Sequence, residues 1–459
     1  MQGDFSRATF DPRKHYCAVL TQQGRVQLDA DLNEQGALLL HQLRTTIADL
    51  LGPAVAPATG GGFAIDAVTG RKPQEDLEIP AGRMYVDGAL VENEFDTTYW
   101  TQPDLHLDPT DPTARLPQDK PFVVYLRVWD RLITSLQDPA IREVALGDPG
   151  PDTAARAKTV WQVAALPVAA TTTADALTEF ATRLATFRPT GQLRAGVRHP
   201  PAVPEGRCEL PPDSRFRGPE NQLYRIEVHT GGRAWPASTT DAPKARRGHL
   251  PGATFKWSRE NASVVFPVTT LHGAVATVTA LGRDGKLGLE VGDWVELVDD
   301  TTAGHVADDT VLTDPPRPAP RLRQVLAIDA VALLVTLDQR DGDDDCGLGP
   351  HPFLRRWDHL SGADDGALPL VENTWLDLED GVQVRFQPAR GAKTGTYRQG
   401  DHWLVPARTA TGDVLWPQGA DGPAAQDPAG VQYHYAPLAF VSGATIDASP
   451  RKTFRPLGS

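Results

Sequence analysis

Chain punctuation is the strongest constraint on what this sequence can fold into. Its 459 residues hold 41 glycines and 40 prolines, about 18% of positions where ordinary usage is about 12%. Proline removes a backbone donor and glycine weakens helices, so such a chain builds short strands joined by turns rather than long helices. Apolar residues at 40% and charged residues at 23%, with ten Trp and fourteen Phe, are enough for a packed core. The length is enough for two or three packed units. The fold class expected is mainly β (α+β): several antiparallel sheets or small barrels, an N-terminal helix and one further helix.

Charge and cysteine content exclude several functions. There are 59 acidic and 45 basic side chains, giving a net charge of −14, and no Lys/Arg run forms a basic face. Phosphate backbones repel such a chain, so no nucleic-acid partner is expected. Cys17, Cys208 and Cys346 are far apart and show no C-x-x-C spacing, which argues against a disulfide framework or zinc ribbon. The N-terminus lacks an apolar signal core, and the apolar stretch Ala330 to Leu337 is far too short to span a bilayer. Synthesis in the cytoplasm without membrane insertion is the expectation.

A helix is expected from Asp31 to Leu51. Asp31 and Glu34 have capping-box spacing, Leu32, Leu39, Leu43, Ile47 and Leu50 share one face, and Gly52-Pro53 supplies the stop. That face suits either packing on its own domain or a subunit contact. Gly60-Gly-Gly62 reads as a flexible hinge. Asp87-Gly88 between alternating segments signals a tight hairpin. Strands are expected at 122–129 and 159–164, a second helix at 175–187 as a strand-to-strand crossover, and a linker over 191–214. Further strands are expected at 223–229, 254–258 and 263–266. Four segments at 287–290, 292–298, 323–328 and 333–337 suggest a small antiparallel barrel, with later strands at 374–378, 382–386, 402–405 and 433–441. Four regions follow: an arm and helix (1–60), a β-rich domain with one helix (61–215), a β domain including the barrel (216–345) and a C-terminal β domain (346–459).

Searches for chemistry find little. Nucleophile-elbow, zinc-protease, P-loop and dinucleotide signatures are missing. Asp341-Gly-Asp-Asp-Asp-Cys346 and Asp29-Ala-Asp-Leu-Asn33 alternate oxygen ligands as calcium loops do, but both lack the central Gly and the final bidentate Glu. No His lies two or four residues from another, so no metal site or cofactor is assigned. Trp375, Trp403 and Trp416 suit either sugar stacking or the core.

Gly3-Asp-Phe-Ser-Arg7, Phe10-Asp-Pro-Arg-Lys-His-Tyr16 and Gln22-Gln-Gly-Arg-Val-Gln-Leu-Asp-Ala-Asp31 resemble the opening of an uncharacterised bacterial family. That family is often encoded near phage-tail-like contractile injection systems. Later blocks extend the resemblance over nearly the whole chain, among them Glu220-Asn-Gln-Leu-Tyr-Arg-Ile-Glu-Val-His229, Phe255-Lys-Trp-Ser-Arg-Glu-Asn261 and Leu354-Arg-Arg-Trp-Asp358. One departure is Leu32, where the family pattern Asp-Trp-Asn-Glu has Trp. The resemblance implies a non-enzymatic structural or attachment component of a tail-like particle, with baseplate, fibre or spike proteins as partners and a homo-oligomer, a trimer by preference. Such a component would stay in the cytoplasm or leave the cell within the released particle. Some relatives continue into β-helix domains, whereas this sequence stops at Ser459. The alternative is a carbohydrate-binding or carbohydrate-cleaving tail-spike module, marked by two close carboxylates beside exposed Trp. The partner-binding candidates are Asp4, Phe5, Arg7, Phe10, Arg13, His15, Tyr16, Arg25, Asp29 and Asp31. Their polar, aromatic and charged character exceeds what packing one helix requires, and the arginines suit partner carboxylates.

Overall fold

A computed structural model describes the chain except residues 105–106, 108, 110–113, 148–151, 187–188, 199–214, 236–251, 304–320, 340–347, 361–364 and 456–459. The acidic 341–345 loop, Cys208 and Cys346 therefore lie outside the described residues. The protein is mainly β with several antiparallel sheets, as composition predicts.

Residues 54–186 and the chain's last strands share one core. A sheet of four strands runs in the order Thr445–Asp447, His434–Ser442, Phe122–Ile133, Arg156–Pro167. Alternation along its strands separates two faces. Phe122, Val124 and Leu126 join Phe63, Ile79, Met84, Val91 and Trp161 in one cluster, and Val123, Tyr125 and Phe440 face helix α2 (Thr173–Thr186) through Ala176 and Phe180. The hairpin Gly82–Val86/Ala89–Asn93 turns at Asp87 (φ 45°) and Gly88 (φ 77°), as the Asp-Gly signal predicts. Strand Ala54–Pro57 pairs with it and, in parallel, with Thr453–Phe454. The 60–62 glycines, expected to be a hinge, are a packing point instead: a Cβ on Gly62 would lie 2.8–2.9 Å from the Gly82 backbone.

The second unit is a sandwich. One sheet runs Leu368–Pro369, Thr254–Ser258, Gln222–Val228, His402–Arg408, Asp413–Val414, and the other Leu376–Asp377, Val382–Pro388, Gly191–Val197. Leu193, Ala195, Tyr224, Ile226, Phe255, Trp257, Val384, Phe386 and Trp403 fill the space between them. The strand at 191–197 corrects the expected linker. Its inward residues Leu193, Ala195 and Val197 do alternate, but glycine and alanine mute the pattern. Helix α2 accordingly connects strands of two different sheets rather than crossing over within one.

Third is a closed six-stranded barrel, in the order Val265–His272, Val275–Val278, Leu334–Leu337, Arg323–Asp329, Trp294–Val298, Phe353–Trp357, antiparallel throughout. The segment expected as a strand at 287–290 is irregular, because the Asp284 carboxylate accepts from the backbone N–H groups of Lys286 and Leu287 (both 2.9 Å) and makes a turn. Strand pairings join distant segments of the sequence, 122–133 with 434–442 and 222–228 with 402–408, so the sheets span the expected regional boundaries.

Barrel and sandwich meet over buried charge. Lys256 Nζ lies 2.9 Å from Glu296, 3.4 Å from Glu227 and 4.3 Å above the Trp357 ring, whose Nε1 donates to Glu296 at 3.0 Å. Arg225 pairs with Glu227 at 2.5 Å. Buried charges persist only when compensated in this way.

Candidate docking site: the N-terminal arm and first helix

Helix α1 spans Asp29–Leu51 and ends at Gly52, whose φ of 91° breaks the helical path. Its start differs from the expected capping box. The cap residue is Leu28, which makes no side-chain cap bond, and both acids assigned to the helix end serve elsewhere or stand apart. Glu34 accepts from the Thr9 hydroxyl at 2.5 Å, and Asp31 is half-buried on the first turn. Asp29 accepts from the Ser6 backbone N–H (2.9 Å) and hydroxyl (2.6 Å). Burial pushes the Asp29 carboxyl up, but the Ser6 bonds outweigh it and hold the group below the usual carboxylate range.

These bonds trace the arm's path. Asn261, buried and in the left-handed region at φ 48°, donates to the carbonyls of Met1 (3.2 Å) and Gly3 (2.8 Å), while Gln2 donates to Glu227 at 3.0 Å. Asn261 is thereby committed to the arm. Gly3 lies against Phe5 and Leu132, where a Cβ would crowd both. Arg408 donates to the Ser6 carbonyl at 2.9 Å. The arm then climbs α1 through Ser6–Asp29, Thr9–Glu34 and the Phe10–His41 ring contact at 5.6 Å. It returns past Gln35, which accepts from the Val19 N–H at 2.7 Å.

The ten candidate residues are not gathered into one surface. Phe10 and Asp29 hold the arm and α1 together, and Phe5 packs back against Gly3. Arg13 binds Asp11 through two bonds of 2.9 Å within a short 3-10 turn (Pro12–Lys14) that His15 closes at φ 54°. Asp4, Tyr16 and Arg25 are exposed, Arg7 and Asp31 half-buried, and Lys14 lies 5.9 Å over the Tyr16 ring. Leu20, Val26 and Leu28 are exposed as well.

Most of the expected apolar stripe on α1 faces outward. Leu32, Leu39, Leu43 and Leu50 are 64%, 55%, 57% and 77% exposed and Ile47 is half-buried, Leu40 beside them is 48% exposed, and only Ala30 and Leu38 are buried along the helix. Polar contacts anchor α1 instead. Arg44 donates to both Asp130 oxygens (2.8 and 3.1 Å), which also take the Thr159 hydroxyl at 2.8 Å. At the Asp87-Gly88 turn, a Cβ on Gly88 would overlap the Arg44 carbonyl. Sequence reasoning missed Arg44, Gln35, His41 and Asn261. A lone Arg on an apolar helix is the one signal that could have found the clamp.

Trp403 is buried in the sandwich core, Trp416 donates to the Ala424 carbonyl at 2.8 Å, and Trp375 is partly exposed. Among the described residues, no three His, Cys, Asp or Glu side chains are grouped to hold a metal ion, and no helix is long and apolar enough to cross a membrane. An open cleft lies between Arg398, Asp401, Gly430 and Tyr433, where Arg398 is taken up by Asp401 and the Val431 carbonyl.

No curated protein and no solved structure matches the chain. A family profile does match, over residues 1–191 and again over 176–450, arm and α1 included. With most of its length covered, the chain belongs to the family described as a family of unknown function, DUF6519.

Proposed function

We propose that this protein is a non-enzymatic structural component of a phage-tail-like contractile particle. It joins baseplate or fibre neighbours through its N-terminal arm and α1. The observation that carries this reading is the outward leucine face of α1, and the arm that packs on the same helix adds the exposed Tyr16, Leu20, Val26 and Leu28. Contiguous apolar surface of this kind on a folded protein marks an interaction site. The resemblance of the Gly3–Asp31 blocks to proteins encoded beside such particles supplies the setting, and the exposed Arg25 suits partner carboxylates.

Co-expression with the neighbouring tail-like proteins tests the reading. The intact chain is expected to co-sediment with the particle, and the full-length Tyr16→Ala/Leu20→Ser/Arg25→Ala variant to be incorporated at least tenfold less. Equal incorporation of both, or none of the intact chain, overturns it.

A further inference from the structure

We propose that α1 is a self-association helix, and that three copies of this chain pack its outer seam in parallel around a common axis. This goes beyond the docking role proposed above: the seam of α1 takes second and third copies of the chain, and the arm residues Tyr16, Leu20 and Arg25 remain for the particle neighbours.

The seam follows a heptad rather than a simple stripe. Steps of four and three residues lead from Leu32 to Gly36, Leu39, Leu43, Thr46 and Leu50, and all six positions are exposed. This 3.5-residue repeat sets side chains into the holes of a like helix. Gly36 has nothing within 4 Å of where its Cβ would stand, so a neighbouring backbone can approach there. The opposite face is fixed to the body by Leu38, Ala30 and the Arg44 clamp, which leaves the seam pointing outward.

Three arguments select the occupant. The positions flanking the seam, Asn33, Gln35, Leu40, Gln42, Ile47 and Asp49, carry one charge among six. Seams that choose a different partner do so through charges at these places. Identical seams with neutral flanks meet without repulsion, even though each chain carries a net charge of −14. Leu40 and Ile47 then widen the apolar face beyond what one partner helix covers, which favours three helices over two. Closed cyclic symmetry makes the three parallel.

The experiment is sedimentation of the full-length chain, together with Leu43→Glu and a Cys17→Ser/Cys208→Ser/Cys346→Ser/Leu50→Cys variant under oxidation. The intact chain is expected at three times its 49.6 kDa mass. Leu43→Glu is expected to be monomeric and folded, with an unchanged circular dichroism spectrum, since Leu43 is exposed within one chain, and with a melting temperature that no longer depends on protein concentration. Leu50→Cys is expected to cross-link to itself, because parallel helices bring equal positions together. A monomeric or dimeric intact chain, a Leu43→Glu variant that stays trimeric, or no Leu50→Cys cross-link overturns the proposal. Loss of particle binding with the trimer intact would remove the docking reading and leave this one standing. Particle binding by a monomeric chain would do the reverse.

Discussion

Replacing Arg44 with Ala removes the side chain that pins α1 to the strand Phe122–Ile133. The clamp consists of two charge-assisted hydrogen bonds, 2.8 and 3.1 Å, between side chains about a quarter exposed. Such bonds contribute about 1.5–3 kcal/mol each when desolvated. Partial exposure screens them, and Thr159 still donates to Asp130 after the substitution, so about 2 kcal/mol for the pair is the working figure. That free energy belongs to α1's attachment rather than to the sheet core. It corresponds to roughly thirtyfold more frequent opening of the helix. Hydrogen exchange resolves this: the amides of 29–51 are expected to exchange about thirtyfold faster in Arg44→Ala, with residues 122–133 unchanged. Arg44→Lys keeps the charge, loses the fork and should fall between. The pH dependence has a definite sign. Burial pushes Asp130 up, but Arg44 and Thr159 outweigh it and hold its carboxyl below the usual range. The clamp's contribution is therefore present above about pH 4 and is lost as pH falls through the folded-state value. Unchanged protection of α1, or faster exchange spread evenly over the chain, would refute a polar anchor.

Three further outcomes follow from packing and charge. Gly88→Ala places a Cβ against the Arg44 carbonyl at a φ of 77°, and should cost about 2–4 kcal/mol in denaturant midpoint measurements; a change under 1 kcal/mol would sink the close approach. Burial raises Glu379 to about 7 despite the neighbouring Arg259, so its stabilising contribution is full below about pH 4.5 and lost as pH rises through 7. Glu379→Gln should therefore melt higher than the natural protein at pH 8, by about 1–3 kcal/mol, and lose that advantage at pH 5; a gap independent of pH refutes the assignment. Lys256→Met leaves the Glu296 carboxylate with the Trp357 N–H and no paired cation, while Glu227 keeps Arg225, and should cost about 3 kcal/mol, partly recovered by adding Glu296→Gln; a loss below 1 kcal/mol would show that the pairing is not needed.

Much of the fold was legible because its signals are local. Asp87-Gly88 made the predicted turn, the runs expected at 122–129 and 159–164 lie within strands 122–133 and 156–167 that pair along their whole length, and three of the four segments expected in a barrel, at 292–298, 323–328 and 333–337, do lie in one, which 265–272, 275–278 and 353–357 complete. Illegible features depended on distant partners. The strand at 191–197 is defined by its pairing with 382–388, and nothing in Gly191-Gln-Leu-Arg-Ala-Gly-Val announces that partner. Periodicity located the helix and its apolar stripe but not the direction in which the stripe points. That direction depends on Arg44 finding Asp130, 86 residues away. Glu34 matched a capping motif, yet Thr9 of the arm claimed it.

The strand at 434–442 lies inside the first sheet, beside 122–133, so a ribosome makes most of the chain before that sheet can close. At about 5–20 residues per second, the interval between finishing 156–167 and supplying 434–442 is roughly 15–50 s. For that time the nascent chain presents an unpaired strand edge along Phe122–Ile133, the kind of surface on which chains aggregate. Sandwich and barrel, whose strands lie between 191 and 414, emerge in the meantime and can fold first. The order of assembly is thus inside out: the segment synthesised earliest is the last to be sealed, and a ribosome that stalls after the barrel releases a product whose first sheet remains open.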